Sequence, residues 1–274
     1  MVDIGKKLLN LHFHFINMFT NSKYKQLYGL IGYPLGHSFS QDYFNEKFEA
    51  ERIDARYINF EIPTIEGLIN VLEQNPNLTG FNVTIPYKEQ IFNYLDEVDP
   101  EAKAIGAVNV VKVKRLANGK AHLTGYNSDY SAFGDTIAPI INSSVHRSAL
   151  ILGTGGASKA VAHALQNIGI QSIKVSRNKK SEGIITYDDL TPEIISEHKI
   201  VVNTTPVGMY PNVDDCPPIP YEALSSRHIC YDLLYNPDET LFMRRAAAQG
   251  AVTKNGLEML LLQAFMSWKI WCKY

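Results

Sequence analysis

From Leu27 onward the chain alternates short apolar runs with longer stretches in which apolar positions recur every three or four residues. LYGLIGY at 27–33 reads as a strand. FSQDYFNEKFEAE at 39–51 reads as a helix whose Phe39, Tyr43, Phe44 and Phe48 share a face. RYINFEI (56–62) and GFNVTI (80–85) read as further strands, with TIEGLINVLEQ (64–74) as a helix between them. This βαβαβ order predicts a parallel sheet covered by helices. Two β runs then flank Asn118-Gly119, a dipeptide that suits a type I′ hairpin because both residues tolerate positive φ. A second α/β series opens at Asp129. SALILGTG is a buried strand, and GASKAVAHALQNIG is a helix with Gly169 as its stop. QSIKVSRN, KIVVNTTP and RHICYDLLY read as three more strands. The final stretch, GLEMLLLQAFMSWKIW (256–271), is an apolar helix that must dock against a core.

Length changes this picture little: 274 residues suit two domains better than one. Residues 24–128 with 257–274 form the expected first domain and 129–256 the second. Lys and Arg are scattered and the net charge is −2, which excludes the basic stripe that nucleic-acid binding needs. Cys216, Cys230 and Cys272 form no CxxC pair or metal pattern, so no metal is expected and a reducing, cytoplasmic setting is the simpler reading. Residues 1–23 begin with two lysines and an apolar run. Asn10, His12, His14 and Asn17 interrupt that run, and no small-residue cleavage site follows. They read as an N-terminal extension, too short and polar to span a membrane, with a working start near Met18 or later as the alternative.

Candidate chemistry starts at ILGTGGASKA. Gly153, Gly155 and Gly156 lie between a β run and a helix, where glycine permits a tight turn and lets backbone N–H groups approach a pyrophosphate. Ser158 takes the place of a third glycine. The next strand ends in Ser176-Arg177-Asn178-Lys179-Lys180, with no carboxylate before Glu182 to meet a ribose hydroxyl. Arg177 could instead pair with the 2′-phosphate that distinguishes NADP from NAD; a solvated basic turn is the competing reading. Ser38 and Ser40, near a helix start, could seat a carboxylate or simply cap the helix. Asn82 and Thr84 share one face of a strand end, and Pro86 starts a turn or helix carrying Lys88. Asn109 sits in an apolar run, where its amide needs a partner. Asp129 could be an N-cap. Lysine and aspartate beside a ring hydroxyl would also make a workable acid–base pair.

Taken together, GYPLGHSFS, FNVTIPYKE, AIGAVNVV, YNSD, LGTGGASKA, VNTTPVGM, YDLLYNPDET and NGLEMLLLQAF occur in an order that resembles the shikimate dehydrogenase family from Leu27 to the C-terminus. The resemblance implies NADPH-dependent, reversible reduction of 3-dehydroshikimate to shikimate, on the route to chorismate and aromatic amino acids. It implies an α/β substrate domain with a mainly parallel sheet, a Rossmann-like NADP-binding domain, a cleft between them, and a last helix that returns to the first domain. By motif, Lys88 is the acid–base residue and Asp129 its partner. Asn109 and Gln263 would contact ring hydroxyls, and Ser38, Ser40, Thr84 and Tyr235 the carboxylate and ring; Asn82 is carried in the motif. Gly153, Thr154, Gly155, Gly156 and Ala157 would meet the pyrophosphate. Ser176, Arg177 and Asn178 would meet the adenosine phosphate, and Leu233 and Gly256 the nicotinamide. The adenosine-phosphate loop departs from the family's usual Asn-Arg-Thr, and the spacing from VSRN to VVNTTP points to a trimmed cofactor domain. A quinate/shikimate enzyme is the nearest rival, and the serine pair favours shikimate over it. A non-catalytic sensor would have no reason to keep Lys88 and Asp129. The expected partner is a small molecule, with no nucleic acid and no membrane, acting on a monomer or homodimer.

Overall fold

The computed structural model describes residues 23–35, 38–178 and 181–272. Residues 1–22, His37, Lys179 and Lys180, which the sequence reading touched, lie outside the described residues. The chain gathers into two compact units. Among the described residues, the first takes in 23–35, 38–104, Val108–Asn127 and 267–272; the second takes in Ile105–Ala107 and those of 128–266.

The first unit is built on six strands: β1 (Gln26–Gly32), β2 (Ala55–Glu61), β3 (Leu78–Val83), β4 (Glu97–Val98), β5 (Val110–Arg115) and β6 (Ala121–Tyr126). Their order is β2-β1-β3-β5-β6-β4. β1 runs parallel to β2 and β3, and β4 to β6, while β5 is antiparallel to β3 and β6, so the sheet is mainly parallel with β5 running against it. Helices α1 (Phe39–Ala50), α2 (Gly67–Gln74) and α3 (Pro100–Ile105) accompany it. The α1 stripe buries Phe44 and Phe48, and the Phe44 ring stacks on Tyr57 with centroids 4.9 Å apart. At the outer strand, β2, Asn45 of α1 bonds both backbone groups of Tyr57 at 2.9 Å, and Gln41 accepts the Asn59 N–H at 3.0 Å.

The hairpin between β5 and β6 differs from the type I′ expectation. Leu116 N–H donates to the Lys120 carbonyl and Gly119 N–H to the Leu116 carbonyl. Gly119 has φ 81, whereas Asn118 keeps a negative φ. The loop therefore has three residues, a type I turn closed by a left-handed glycine. The Asn118 side chain accepts the Lys120 N–H at 3.0 Å instead of supporting a second positive φ.

In the second unit β7 (Ser148–Leu152), β8 (Gln171–Ser176), β9 (Ile184–Thr186), β10 (Ile200–Asn203), β11 (Ile229–Asp232) and β12 (Val252–Lys254) form an all-parallel sheet, ordered β12-β11-β10-β7-β8-β9. With α4 (Asp129–Ile137), α5 (Gly156–Asn167), α6 (Pro192–Glu197) and α7 (Leu241–Ala248), this is a Rossmann-like doubly wound fold. The order reverses between β7 and β10, whose side chains from Ala149 to Leu152 and Ile200 to Asn203 are buried. That is the continuous apolar run expected of a strand covered on both faces.

The last helix, α8 (Leu257–Cys272), begins in the second unit and ends in the first. Its final turns are held by aromatic packing within the first unit. Trp271 is buried, its indole N–H donates to the Val111 carbonyl at 3.0 Å, and its ring lies 4.8 Å from Tyr28 and 5.3 Å from Phe44. A Cβ at Gly80 of β3 would collide with that indole. Among the described residues no helix is long and apolar enough to cross a membrane.

At the opposite end of the second sheet from its strand exits lie two buried histidines. His228 Nδ1 accepts the Ser225 N–H and Nε2 donates to the Ile195 carbonyl, both at 3.0 Å. His146 Nδ1 accepts the Asn142 N–H at 2.8 Å and Nε2 donates to the Arg227 carbonyl at 3.2 Å. Both rings are assigned as neutral because each Nδ1 faces an N–H donor. Burial holds both pKa values below the usual histidine range, with Lys199 and Arg227 adding repulsion.

Two outcomes follow from this packing. Trp271→Ala should destabilise the protein by about 3–5 kcal/mol, read by urea denaturation through the remaining Trp268; an unchanged midpoint would show that the helix is anchored elsewhere. The unfolded chain takes up protons at these histidines before the folded one does. Their contribution is therefore present above about pH 6.5 and lost as the pH falls through the depressed folded values. Melting temperatures of wild type should decline across that window, and His228→Gln should flatten the decline.

Candidate functional site

In the second unit, the strand exits at the reversal point form a polar rim. β7 ends at Gly153, whose φ of 117 suits glycine and where a Cβ would come within 2.6 Å of Thr204 Oγ1. Thr204, just beyond β10, donates from both N and Oγ1 to the Leu152 carbonyl, at 3.0 and 2.7 Å, closing the turn from its side. Gly155 is the N-cap of α5, and no side chain caps the helix; a Cβ at Gly155 would meet nothing within 4 Å. The start of α5 therefore carries no capping side chain, an arrangement suited to a pyrophosphate. Ser158 is buried and its hydroxyl donates to the Gly155 carbonyl at 2.7 Å, which explains how it replaces a third glycine.

Ser176 closes β8, and Arg177 and Asn178 follow it on the exposed surface. The Arg177 charge lies near Tyr187, whose hydroxyl burial pushes up to about 12. On the other side of β7, Leu233 N–H donates to the Asn203 carbonyl at 3.0 Å, and Gly256 N–H to the Leu234 carbonyl at 2.8 Å. Gly256 lies so close to the Leu233 carbonyl that a Cβ could not fit. The glycine cradle, the uncapped helix and the exposed arginine at the next strand exit together fit a phosphorylated dinucleotide. Thr204 and the buried Asp232 are further rim residues, marked in the sequence only as polar residues at the ends of the buried runs IVVN and ICYD.

In the first unit, Ser38 and Ser40 follow the exit of β1, Thr84 and Lys88 follow the exit of β3, and Asn109 precedes β5, which is antiparallel to β3. These residues therefore share one end of the sheet. Ser38 occupies the N-cap position of α1 but makes no side-chain capping bond. Ser40 hydrogen-bonds the Tyr57 hydroxyl, which burial holds above its ordinary pKa. The Tyr57 hydroxyl donates to Asn82 Oδ1 at 3.0 Å; Asn82 Nδ2 donates to Ser267 Oγ at 2.8 Å and the Asn109 carbonyl at 3.2 Å. The Asn82 amide is thus committed to holding neighbours in place. Tyr57 and Ser267 were not singled out from sequence, since a buried tyrosine in an aromatic strand reads as core.

Thr84 N–H donates to the Ile31 carbonyl at 2.9 Å, and its methyl fills the space left by Gly32. Lys88 lies half-buried in a turn that leads into a short 3-10 helix, Gln90–Tyr94, rather than in a helix started by Pro86. Its backbone is fixed by the Val108 N–H at 2.8 Å, and the preceding Tyr87 is locked by its hydroxyl on the Ile62 carbonyl at 2.6 Å. Asn109 is buried, with its N–H on the Tyr126 carbonyl and its carbonyl on the Val83 N–H.

The remaining candidates lie in the second unit. Asp129 is buried and is the first residue of α4; Ser128, not Asp129, stands at the N-cap. Gln263 lies one turn before Ser267 and on the same face of α8. Tyr235 is 37% exposed on the loop after β11, its pKa raised by partial burial. Among the described residues no group of three or more His, Cys, Asp or Glu is placed to hold a metal ion.

A family model described as the shikimate dehydrogenase substrate binding domain matches residues 30–111, which belong to the first unit except for 105–107. A shikimate dehydrogenase (NADP(+)) of Methanococcus maripaludis strain C7 is 41% identical over 261 residues, covering 90% of this chain and 91% of that protein. Among solved structures, the chain is similar to the shikimate dehydrogenase of Aquifex aeolicus, with a TM-score of 0.78 and 35% identity over 90% of this chain and 92% of that one. It is also similar to the shikimate 5-dehydrogenase of Thermus thermophilus, solved with NADP(H) and shikimate, with a TM-score of 0.77 and 30% identity over 90% and 93% of the two chains. A likeness that runs through both units at this level of identity places the chain in the shikimate dehydrogenase family.

Proposed function

We propose that the protein is an NADP-dependent shikimate dehydrogenase that reversibly reduces 3-dehydroshikimate to shikimate in the synthesis of chorismate and aromatic amino acids. The supporting observation is the 41% identity over 90% of the chain to a relative named for that reaction and cofactor. In this reading the first unit binds the substrate and the second binds NADP, in a cytoplasmic monomer or homodimer.

NADPH, when bound, supplies the hydride that turns the ring carbonyl into an alcohol. The work of the chain is to hold the reactants and move one proton. Lys88 gives a proton to the carbonyl oxygen as negative charge develops there, and takes it back in the reverse direction. Asp129 is its acid–base partner on the ring hydroxyls, and Asn109 and Gln263 bind further hydroxyls. Ser38, Ser40, Thr84 and Tyr235 seat the carboxylate and ring. The freedom of Ser38 from capping duty supports that assignment, since its hydroxyl is not spent on the helix. Asn82 serves as a positioning residue. Gly153, Thr154, Gly155, Gly156 and Ala157 cradle the pyrophosphate; Ser176, Arg177 and Asn178 meet the 2′-phosphate; Leu233 and Gly256 border the nicotinamide.

Initial rates with shikimate and with quinate, each against NADP and NAD, test the assignment. Shikimate with NADP should be the most efficient pair, and Arg177→Ala should lower the NADP-to-NAD efficiency ratio. A higher rate with quinate, or an unchanged ratio, would overturn the corresponding assignment. Lys88→Ala and Asp129→Asn should each cut turnover about a hundredfold or more with a smaller change in substrate affinity, because general acid–base catalysis contributes ~10²–10⁴. Wild-type turnover in Lys88→Ala would remove that residue from the chemistry.

A further inference from the structure

Asp232 closes β11 with its side chain fully buried, and among the described residues no cation pairs with it. Three donors from three segments converge on its carboxylate. Asn203 Nδ2, at the exit of β10, donates to Oδ1 at 3.0 Å; Leu234 N–H donates to the same oxygen at 3.1 Å; Thr240 Oγ1 donates to Oδ2 at 2.7 Å. Thr240 is itself the N-cap of α7, accepting the Met243 N–H. Asn203 in turn orders the loop after β10, through Thr205 Oγ1 at 2.6 Å and Thr205 N–H at 3.1 Å on its Oδ1. One carboxylate thus ties together the ends of two adjacent strands and both ends of the loop between β11 and α7. Burial pushes its pKa up to about 6 against the pull of these donors. An unpaired buried carboxylate is a costly way to fasten a loop if stability alone is at stake.

The fastened loop begins with Leu233 and Leu234, against whose carbonyls Gly256 is pressed and hydrogen-bonded. Resting on the assignment of Leu233 and Gly256 to the nicotinamide, we infer that Asp232 is the positioning residue for the nicotinamide end of the cofactor site. It acts through Asn203, Leu234 and Thr240 and makes no contact with the cofactor itself. The adenosine-phosphate end lies at the exit of β8, on the far side of β7 from β10 and β11. A defect at Asp232 should therefore discriminate between the two ends, whereas general loosening of the unit would not.

The test is calorimetric titration of the full-length protein with NADP+ and with adenosine 2′,5′-bisphosphate, which carries only the adenosine-phosphate end. Asp232→Asn replaces one acceptor oxygen with a donor facing Thr240. It should weaken NADP+ about tenfold, or about 1.4 kcal/mol, and leave the bisphosphate within twofold of wild type. Should that variant fail to fold, Thr240→Val carries the same expectation, and Thr240→Ser, which keeps the hydroxyl, should restore wild-type affinity. In steady-state assays the loss should appear in the KM for NADP more than in the KM for shikimate. Equal weakening of both ligands, or unchanged NADP+ binding in a folded variant, would overturn the inference. Wild type that binds neither ligand would instead overturn the NADP assignment on which it rests.

Discussion

The indole of Trp271 can lie against β3 because residue 80 has no side chain, and its N–H meets the Val111 carbonyl of the neighbouring strand. That docking fixes the end of α8, and much of the first unit's polar end is ordered from it. Ser267, one turn earlier on the helix, is held where Asn82 donates to it. Asn82 in turn orients Tyr57 and the carbonyl of Asn109, and Tyr57 carries Ser40. A steric allowance on one strand therefore bears on the placement of Ser40, Asn82 and Asn109.

The second unit solves a different problem. Its rim is made of strand exits, where backbone groups leave the sheet ladder and need other partners. Thr204 reaches back to the β7 carbonyl, Asn203 and Asp232 join across β10 and β11, and the start of α5 is left without a capping side chain.

The long periodic segments were legible because burial on one or both faces writes itself into the apolar pattern. The runs SALIL and IVVN, the α1 stripe and the greasy α8 all gave their elements correctly. β4, β9 and β12 were not legible: each has only two or three residues and is defined by backbone pairing, which leaves no periodic trace. The Asn118-Gly119 turn departs from expectation because the dipeptide fits two loop lengths, and strand register chooses between them. In the candidate site, the motif residues are assigned by resemblance, while the residues that support them leave no such mark in the sequence. Tyr57 looks like core until its hydroxyl is seen on Asn82, and Asp232 looks like a loop residue until three donors are seen around it.

The grip of α1 on β2 bears on how copies of this chain behave when crowded together. A sheet margin can recruit a foreign strand only if its amides and carbonyls are available. Here Asn45 already satisfies both groups of Tyr57, and Gln41 takes the next amide. At the opposite margin β4 is two residues long and offers too little ladder to template growth. At Tyr57 and at the Asn59 amide the sheet margin is thereby closed to a foreign strand, and that cover comes from two amide side chains on one helix.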